Sequence, residues 1–183
     1  MKRVIFITGS PGVGKTTVLT KIVDTLKEAG FSVGGMISRE VRESGKRVGF
    51  NITDSDSEKQ GWLANVNQKT GPTVGRYHIN LQDLNNIGTK AIMSAIENSD
   101  VIAIDELGPM ELHSNEFKEA TRKALESHKP VIVVIHWKAK GKLITEAKNL
   151  KNAKLFTVTT ENRDKLSRTV VQKIVNNHLR SSA

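Results

Sequence analysis

The stretch that decides the fold reads Gly9-Ser10-Pro11-Gly12-Val13-Gly14-Lys15-Thr16. Its spacing matches G-x-x-x-x-G-K-[ST], in which glycines let the backbone wrap a phosphate and successive N–H groups form an anion-binding nest. An apolar run precedes it at residues 4–7, and apolar residues at helical spacing follow it between Val18 and Leu26. A strand, a glycine loop and a helix in this order predict a phosphate-binding loop (P-loop) that binds a nucleoside triphosphate.

Each polar residue of the loop has an expected role. Lys15 supplies a positive charge for the β- and γ-phosphates, and the Thr16 hydroxyl is placed to ligate Mg²⁺, the predicted cofactor. Ser10 and Val13 are expected to contribute only backbone contacts. The residues predicted to contact the nucleotide or its metal ion in this part of the chain are Gly9, Ser10, Pro11, Gly12, Val13, Gly14, Lys15, Thr16 and Thr17.

Length and composition predict one ordinary α/β domain over residues 1–183. Hydrophobic residues make up 37% of the chain and charged residues 26%, and no apolar run is long enough to span a membrane. The N-terminus enters a strand at once, so we expect no signal peptide. Because there are no cysteines, disulfides, thiolate metal sites and cysteine nucleophiles are excluded. We expect a cytoplasmic monomer.

The charge balance favours anionic partners. The formal net charge is +9, which suits nucleotides and allows nucleic acid. One stretch contains a single acid, Glu146, among six lysines at positions 138, 140, 142, 148, 151 and 154. These lysines are explained by a loop and a helix face that are exposed to solvent. A nucleic-acid-binding surface is the alternative, although Trp137 is the one aromatic residue beside the lysines that could stack on a base.

Hydrophobic periodicity predicts a mainly parallel sheet with an antiparallel β-insertion at about 39–81. Strands are expected at 3–8, 31–38, 101–104, 131–135 and 155–158, with helices at 15–29, 82–98, 117–125, 143–150 and after Thr160, which we expect to be a cap. Ser114 is predicted to cap the helix at 117–125. Within the insertion, a hairpin turns at Ser44-Gly45, a short strand covers 62–66, and 74–81 alternates as another strand. Residues 181–183 are expected to fray.

The second motif is the run Val101-Ile102-Ala103-Ile104 followed by Asp105 and Glu106. A P-loop enzyme needs a carboxylate at the end of a buried strand to hold Mg²⁺, and Asp105 fits that need. Glu106 is placed to polarise a water molecule for attack on the γ-phosphate. This pair resembles the P-loop division that includes RecA-like and AAA ATPases. That resemblance places strand 131–135 between the strand before the P-loop and the strand that ends at Asp105. The C-terminal end of strand 131–135 then faces the γ-phosphate, so His136 becomes a candidate sensor of phosphate or water.

Four further stretches resemble the small P-loop nucleoside-triphosphatase family, whose members include enzymes of thermophiles and a human cancer-related nucleoside-triphosphatase. These stretches are residues 40–50, 74–77, 105–112 and 159–164. Together with the P-loop, the resemblance extends from residue 2 to beyond residue 164. The resemblance implies a three-layer α/β/α domain and slow, Mg²⁺-dependent hydrolysis of the γ-phosphate of ATP, GTP and other nucleoside triphosphates. Two departures stand out. Pro109 occupies a position where many members have lysine, and 136–154 has no family-like motif.

Charge stabilisation at the γ-phosphate is the least specified part of the site. Four arginines lie on the β-insertion, namely Arg39, Arg42, Arg47 and Arg76, and we hypothesise that one reaches the γ-phosphate as an arginine finger. Arg39 and Arg76 are the catalytic candidates carried forward with Lys15 and Glu106. Trp137, Tyr77 and Arg163 are candidates for stacking on the base, and no guanine-reading segment is present.

Three functions remain open from the sequence. The leading one is hydrolysis of nucleoside triphosphates to diphosphate and phosphate, with water activated by Glu106. A P-loop ATPase coupled to DNA or RNA is the second, on the strength of the lysine-rich stretch. A nucleotide or small-molecule kinase is the third, although the sequence shows no arginine-rich lid.

Overall fold

A single mixed sheet runs through the computed structural model, which describes residues 3–181 and the side chains of residues 3–176. Its strand order is β5-β6-β4-β3-β2-β7-β8-β1-β9. The strands are β1 (Val4–Thr8), β2 (Val33–Glu43), β3 (Lys46–Asp54), β4 (Gln60–Asn65), β5 (Thr73–Val74), β6 (Tyr77–Ile79), β7 (Val101–Leu107), β8 (Val131–Ile135) and β9 (Ala153–Thr157).

Helices connect the strands on both sides of this sheet. They are α1 (Lys15–Glu28), α2 (Leu81–Asp83), α3 (Lys90–Asn98), α4 (Asn115–Glu126), α5 (Lys142–Lys148) and α6 (Arg163–Ser181). A π-helical segment, Leu84–Thr89, joins α2 to α3, and a single 3₁₀ turn covers Glu111–His113. Among the described residues, no helix has the length and hydropathy to cross a membrane.

The parallel half of the sheet forms the centre of a three-layer α/β/α arrangement, as the sequence predicts. Alternate residues of β1 face opposite layers, because side chains alternate along a strand. Val4 and Phe6 pack in the cluster that contains α3, α4 and α5, whereas Ile5 and Ile7 pack in the cluster that contains α1 and α6. This two-sided burial explains why the central strands read as continuous apolar runs.

The predicted antiparallel insertion is present, but its first strand is not separate from the parallel sheet. We expected a break near residue 39, whereas β2 continues from Val33 to Glu43. Met36 pairs with Ile104 of β7 on one side and with Asp54 of β3 on the other. One strand therefore serves both halves of the sheet, and the insertion is anchored directly to the parallel core.

The predicted strand at 74–81 is wrong. Gly75 has a φ of +58°, which reverses the chain between β5 and β6 and shortens both strands. Asn80 then starts the helical region, with its side chain accepting a hydrogen bond from the Asp83 backbone N–H at 2.9 Å. The alternation of apolar and polar residues at 74–81 therefore comes from two short strands joined by a tight turn and from the residue that caps the following helix.

The predicted helix at 82–98 is interrupted but not broken. The π-helical segment places Gly88 against β2, where a Cβ would lie 2.5 Å from the sulfur of Met36. Absence of a side chain therefore allows this segment to pack closely on the sheet. Asp83, just before it, accepts a hydrogen bond from the Trp62 N–H at 2.8 Å and so ties the helix to β4.

The two predicted helix caps have different outcomes. Ser114 caps α4 as expected, since its hydroxyl accepts from the Phe117 N–H at 2.9 Å. The prediction that Thr160 caps α6 is wrong. The helix begins at Arg163, and the hydroxyl of Thr159 accepts a hydrogen bond from the Asn162 N–H at 3.2 Å. Ser181 ends α6, and the rest of the predicted frayed tail, residues 182–183, lies outside the described residues.

Candidate active site

The P-loop connects β1 to α1 and has the backbone that its glycines predict. Gly9, Gly12 and Gly14 have φ angles of 152°, 76° and 102°, which favour glycine. A Cβ at Gly9 would also lie only 2.8 Å from the carbonyl oxygen of Val158. Gly14 is the N-cap of α1. The loop therefore ends at a helix N-terminus, whose partial positive charge suits a phosphate.

Lys15 is the first residue of α1 and is buried against the loop. Its Nζ donates hydrogen bonds to the carbonyl oxygens of Gly9, at 3.1 Å, and Ser10, at 3.2 Å. These bonds hold the ammonium group over the loop, where phosphate oxygens can accept the same protons in charge-assisted hydrogen bonds. The side of the loop that faces solvent is formed by Ser10, Pro11, Gly12 and Thr17.

The acid pair lies on β7, two strands away from β1. The predicted neighbour relation is confirmed, because β8 lies between β7 and β1. In the register, Val134 of β8 pairs with both Asp105 and Ile7. Asp105 is buried, Glu106 is half-buried, and the peptide bond between them is cis. Adjacent parallel strands thus bring the acids and the P-loop to the same edge of the sheet.

Burial dominates the ionisation of both acids. It raises the pKa of Asp105 to about 7, against the opposing effects of the Thr16 hydroxyl, the charge of Lys15 and the Ser38 backbone, while the charge of Glu106 raises it further. Burial also raises the pKa of Glu106, and the charge of Lys15 lowers it. A raised pKa brings a carboxylate closer to the basicity that a general base needs at neutral pH.

The residues around Asp105 fit a magnesium ion. The Oδ2 atom of Asp105 is buried and has no hydrogen-bond partner among the described residues, and its carboxyl group interacts with the Thr16 hydroxyl. Mg²⁺ prefers one or two protein oxygen ligands together with water and substrate phosphates. The described part of the chain holds no group of three or more acidic, histidine or cysteine side chains suited to a metal.

His136 follows β8 at the same edge of the sheet. Its Nδ1 accepts a hydrogen bond from the Lys138 N–H at 3.2 Å, so in the neutral ring the other nitrogen, Nε2, carries the proton and can donate. Burial lowers the pKa of His136, and the charges of Lys15 and Lys138 lower it further. A neutral N–H donor beside the P-loop is suited to contact a phosphate oxygen or water.

A cavity of about 390 Å³ joins these groups. It is bordered by P-loop residues, the acid pair, the β-insertion and the loop after β7. Lys15, Thr16, Asp105, Glu106 and His136 all border it. The structure therefore brings together, in one space, the residues that the sequence predicts for phosphate binding, metal binding and water activation.

The four insertion arginines are distributed differently. Arg39 and Arg47 border the cavity, and Arg39 also borders a second cavity of about 410 Å³ between α1 and the β2–β3 hairpin. Arg42 pairs with Glu40 and borders neither cavity itself. Arg76 donates to the carbonyl oxygen of Arg47. In this conformation the structure does not bring Arg76 to the P-loop.

A small aromatic cluster holds Arg47 in place, and sequence reasoning missed it. Arg47 donates to the Tyr77 hydroxyl at 2.8 Å and pairs with Glu40 at 2.9 Å. Its guanidinium carbon lies 5.4 Å from the ring centroid of Phe50, within cation–π range. Tyr77 is 7% exposed, so its ring is committed to this cluster and is not available to stack on a base.

The other two base-stacking candidates occupy different places. Arg163 lies against the last glycine of the P-loop, with Nη1 3.9 Å from the position of a Cβ on Gly14. Trp137 is 49% exposed and borders a separate cavity that adjoins Gly9 and Ser10. Of the three candidates, Arg163 therefore lies nearest the point where α1 begins.

Glu111 is a further acid that the sequence did not single out as functional. It is 3% exposed, although it lies on a short 3₁₀ turn in a loop. A Cβ at Gly108 would lie 3.1 Å from both the Oε1 atom of Glu106 and the Oε2 atom of Glu111. Burial and the charges of Glu106 and Asp105 raise the pKa of Glu111 well above its usual range, despite nearby backbone N–H groups. An acid in a loop gives no periodic signal, so its burial could not be predicted.

The chain is similar to known nucleoside-triphosphatases. A family described as NTPase matches residues 4–171. The nucleoside-triphosphatase THEP1 of Thermofilum pendens is 43% identical, covering 92% of this chain and 93% of that protein. THEP1 of Methanocaldococcus jannaschii is 42% identical, covering 93% and 96%.

Two solved structures are similar over most of their length. The crystal structure of THEP1 from Aquifex aeolicus has a TM-score of 0.83 and 30% identity, covering 93% of this chain and 98% of that one. The solution structure of a human cancer-related nucleoside triphosphatase has a TM-score of 0.78 and 34% identity, covering 94% and 97%.

Proposed function

We propose how this chain, which belongs to the NTPase family and is a nucleoside-triphosphate hydrolase, performs the hydrolysis. A water molecule activated by Glu106 attacks the γ-phosphate and releases it. We further propose that the reaction depends on Mg²⁺ and accepts ATP, GTP and other nucleoside triphosphates. One observation carries this proposal: Glu106 and Lys15 border the same cavity at the carboxyl edge of the sheet.

The binding step uses the P-loop. Its backbone N–H groups and the Lys15 ammonium contact the β- and γ-phosphates, and Lys15 exchanges its present carbonyl partners for phosphate oxygens. Thr16 and Asp105 would hold the metal ion. When bound, Mg²⁺ neutralises charge on the phosphate oxygens.

The chemical step uses the cavity side of β7. The Glu106 carboxylate accepts a proton from a water molecule, whose oxygen bonds to the γ-phosphorus while the bond to the bridging oxygen of the diphosphate breaks. His136 donates from Nε2 to the γ-phosphate or to that water. Arg39 and Arg47 stabilise the negative charge of the transition state from the insertion side, since both border the cavity whereas Arg76 does not.

Broad base specificity follows from where the contacts are. The P-loop binds phosphates, which all nucleoside triphosphates share, and Arg163 offers a flat guanidinium group beside Gly14. A guanidinium plane can stack on any base. We therefore propose that the base adds affinity with little selectivity.

The experiment is a comparison of wild-type protein with Glu106→Gln. With Mg²⁺ and ATP, the wild type should release phosphate, whereas Glu106→Gln should bind nucleotide with similar affinity and turn over about 100-fold or more slowly, in line with the loss of a general base. Glu126→Gln, at an exposed position on α4, is the matched control. Normal turnover by Glu106→Gln removes Glu106 from the mechanism.

A second candidate function is hydrolysis coupled to nucleic acid. Trp137 is exposed, Lys138 lies 4.8 Å from its ring centroid, and the lysine-rich stretch is largely solvent-exposed. An exposed aromatic ring among cations is a feature of single-strand binding sites. A single-stranded oligonucleotide that stimulates ATP hydrolysis in a salt-dependent way would support this function, and no change in rate would count against it.

The expected cytoplasmic location and monomeric state stay predictions. Size-exclusion chromatography with light scattering tests the monomer directly, and a mass of about twice the 20.2 kDa chain would contradict it.

A further inference from the structure

The cavity beside the P-loop has an apolar wall that water activation does not require. Phe50 of β3, Leu63 of β4, Val74 of β5 and Met110 after β7 border the same space as Glu106. Leu63 is buried, and the other three are half-buried. Four apolar side chains from four separate segments thus border the same cavity as the acid pair.

This wall is held in a fixed shape. The rings of Phe50 and Tyr77 meet edge to face, with centroids 5.3 Å apart and planes at 68°, a favourable aromatic geometry. The Tyr77 hydroxyl in turn accepts from Arg47 at 2.8 Å. Because Tyr77 and Arg47 contact the Phe50 ring, this member of the wall is held in place.

The wall borders the same space as Glu106, the residue proposed to activate the attacking water. The P-loop residues Pro11, Gly12 and Gly14 border this space as well. A phosphate chain that lies in the loop and presents its γ-phosphorus to Glu106 therefore presents it to the cavity that the wall borders. A molecule seated there would stand where the attacking water stands.

The size of the cavity limits the occupant. Ligand pockets usually measure about 300–1,000 Å³, and this cavity, at about 390 Å³, must also receive the γ-phosphoryl group. The remaining space suits a small organic molecule and is too small for a second nucleotide. Apolar walls with a few polar groups at one end are typical of sites that bind a carbon skeleton and orient one reactive group.

We propose that this cavity is an acceptor site for a small alcohol with an apolar body, and that the protein transfers the γ-phosphoryl group to that alcohol. The inference rests on the proposed function, since it uses the same P-loop and the same Glu106. The alcohol oxygen bonds to the γ-phosphorus, the bond to the bridging oxygen breaks, and the hydroxyl proton passes to the Glu106 carboxylate. The products are a phosphate monoester and a nucleoside diphosphate, and water is the acceptor when the site is empty.

The test measures how the phosphoryl group divides between acceptors in a single reaction. Wild-type protein with Mg²⁺ and ATP is incubated with benzyl alcohol and methanol together, and inorganic phosphate, benzyl phosphate and methyl phosphate are quantified by ³¹P NMR. Benzyl phosphate should form at least about tenfold more readily per mole of alcohol than methyl phosphate, since each apolar group in a fitted pocket is worth roughly that much.

Near-isosteric polar substitutions in the wall should remove this preference. Val74→Thr combined with Met110→Gln should lower the ratio of benzyl to methyl phosphate by about fivefold or more. The ratio is internal to each reaction, so it does not depend on the overall rate. Val74→Thr alone provides the same comparison should the double variant fail to fold, and Val171→Thr, on the distant helix α6, is the matched control.

The outcomes separate the two proposals. Release of phosphate without any alkyl phosphate overturns the acceptor site and leaves hydrolysis standing. Alkyl phosphates formed in equal yield per mole, or a preference that the wall substitutions leave unchanged, also overturn it. Absence of every phosphate product removes the proposed function and the acceptor site together.

Discussion

Replacing Asp105 with asparagine tests whether the buried carboxylate destabilises the protein when no nucleotide is bound. Burial raises the pKa of Asp105 from 3.8 to about 7. A raised pKa means that the folded protein binds more protons than the unfolded chain between these two values. The contribution of Asp105 to stability is therefore most favourable below about pH 4 and is lost as the pH rises towards 7.

The magnitude follows from the same pKa. A tenfold change in an acid dissociation constant corresponds to about 1.4 kcal/mol. The raised pKa of Asp105 therefore lowers the free energy of unfolding by up to about 4 kcal/mol at pH 8 and by roughly 2 kcal/mol at pH 5. The amide of the substituted side chain carries no charge at either pH. The Asp105→Asn protein should therefore be more stable than the wild type at pH 8, and by a smaller margin at pH 5.

The measurement is thermal unfolding of both proteins without Mg²⁺ or nucleotide at the two pH values. For a chain of this length each kcal/mol shifts Tm by roughly 2–4 °C, so the Tm of Asp105→Asn should exceed that of the wild type by at least about 5 °C at pH 8. Glu111 titrates in both proteins, and because burial rather than the charge of Asp105 is the main cause of its raised pKa, most of its contribution cancels in the difference. Asp56→Asn, in an exposed turn, is the control.

Adding Mg²⁺ with a non-hydrolysable ATP analogue should reduce the advantage of Asp105→Asn at pH 8. Ligand at 100 times its Kd stabilises the protein that binds it by about 2.7 kcal/mol, and Asp105→Asn lacks the carboxylate proposed to hold the metal. The reasoning is refuted if Asp105→Asn is no more stable than the wild type at pH 8, or if the difference in stability is the same at both pH values.

Three further substitutions test the rest of the site. Arg47→Ala should lower kcat about tenfold or more, and Arg76→Ala should lower it less, because Arg76 stacks on Tyr77 outside the cavity. Equal losses of kcat in steady-state kinetics would contradict the role given to Arg47 at the γ-phosphate. Lys15→Ala should weaken nucleotide binding in calorimetry roughly 10- to 100-fold through loss of charge-assisted hydrogen bonds, and unchanged affinity would exclude that contact. Arg163→Ala should raise KM for ATP and GTP by similar factors of about 3 to 30, whereas a change confined to one nucleotide would show that Arg163 selects the base.

The sequence was most informative where the contacts are local. The P-loop could be predicted because three glycines, a lysine and a hydroxyl residue act within eight consecutive positions. The parallel strands could be predicted because burial on both faces leaves continuous apolar runs. The same reasoning predicted Ser114 as a cap, since the bond that it makes joins residues three positions apart.

Predictions were wrong where two local signals compete. Alternation at 74–81 is a strand pattern, but Gly75 adopts a positive φ and reverses the chain. At residue 39 the pattern changes from buried to half-exposed, which suggested a new strand. The change instead marks where β2 leaves β7 and pairs with β3 alone, so burial changes along one continuous strand.

By itself, the sequence determined the phosphate-binding loop, the acid pair and the alternation of strands and helices, because each depends on neighbours in the chain. Only the tertiary structure decided that Arg47 borders the cavity and Arg76 does not, that Glu111 is buried beside Glu106, and that an apolar wall borders the same cavity as the acids. Those features are contacts between segments far apart in the chain, and which segments meet is fixed by the strand order of the sheet. The P-loop specifies that a phosphate binds, and the packing of the insertion against it specifies what can approach that phosphate.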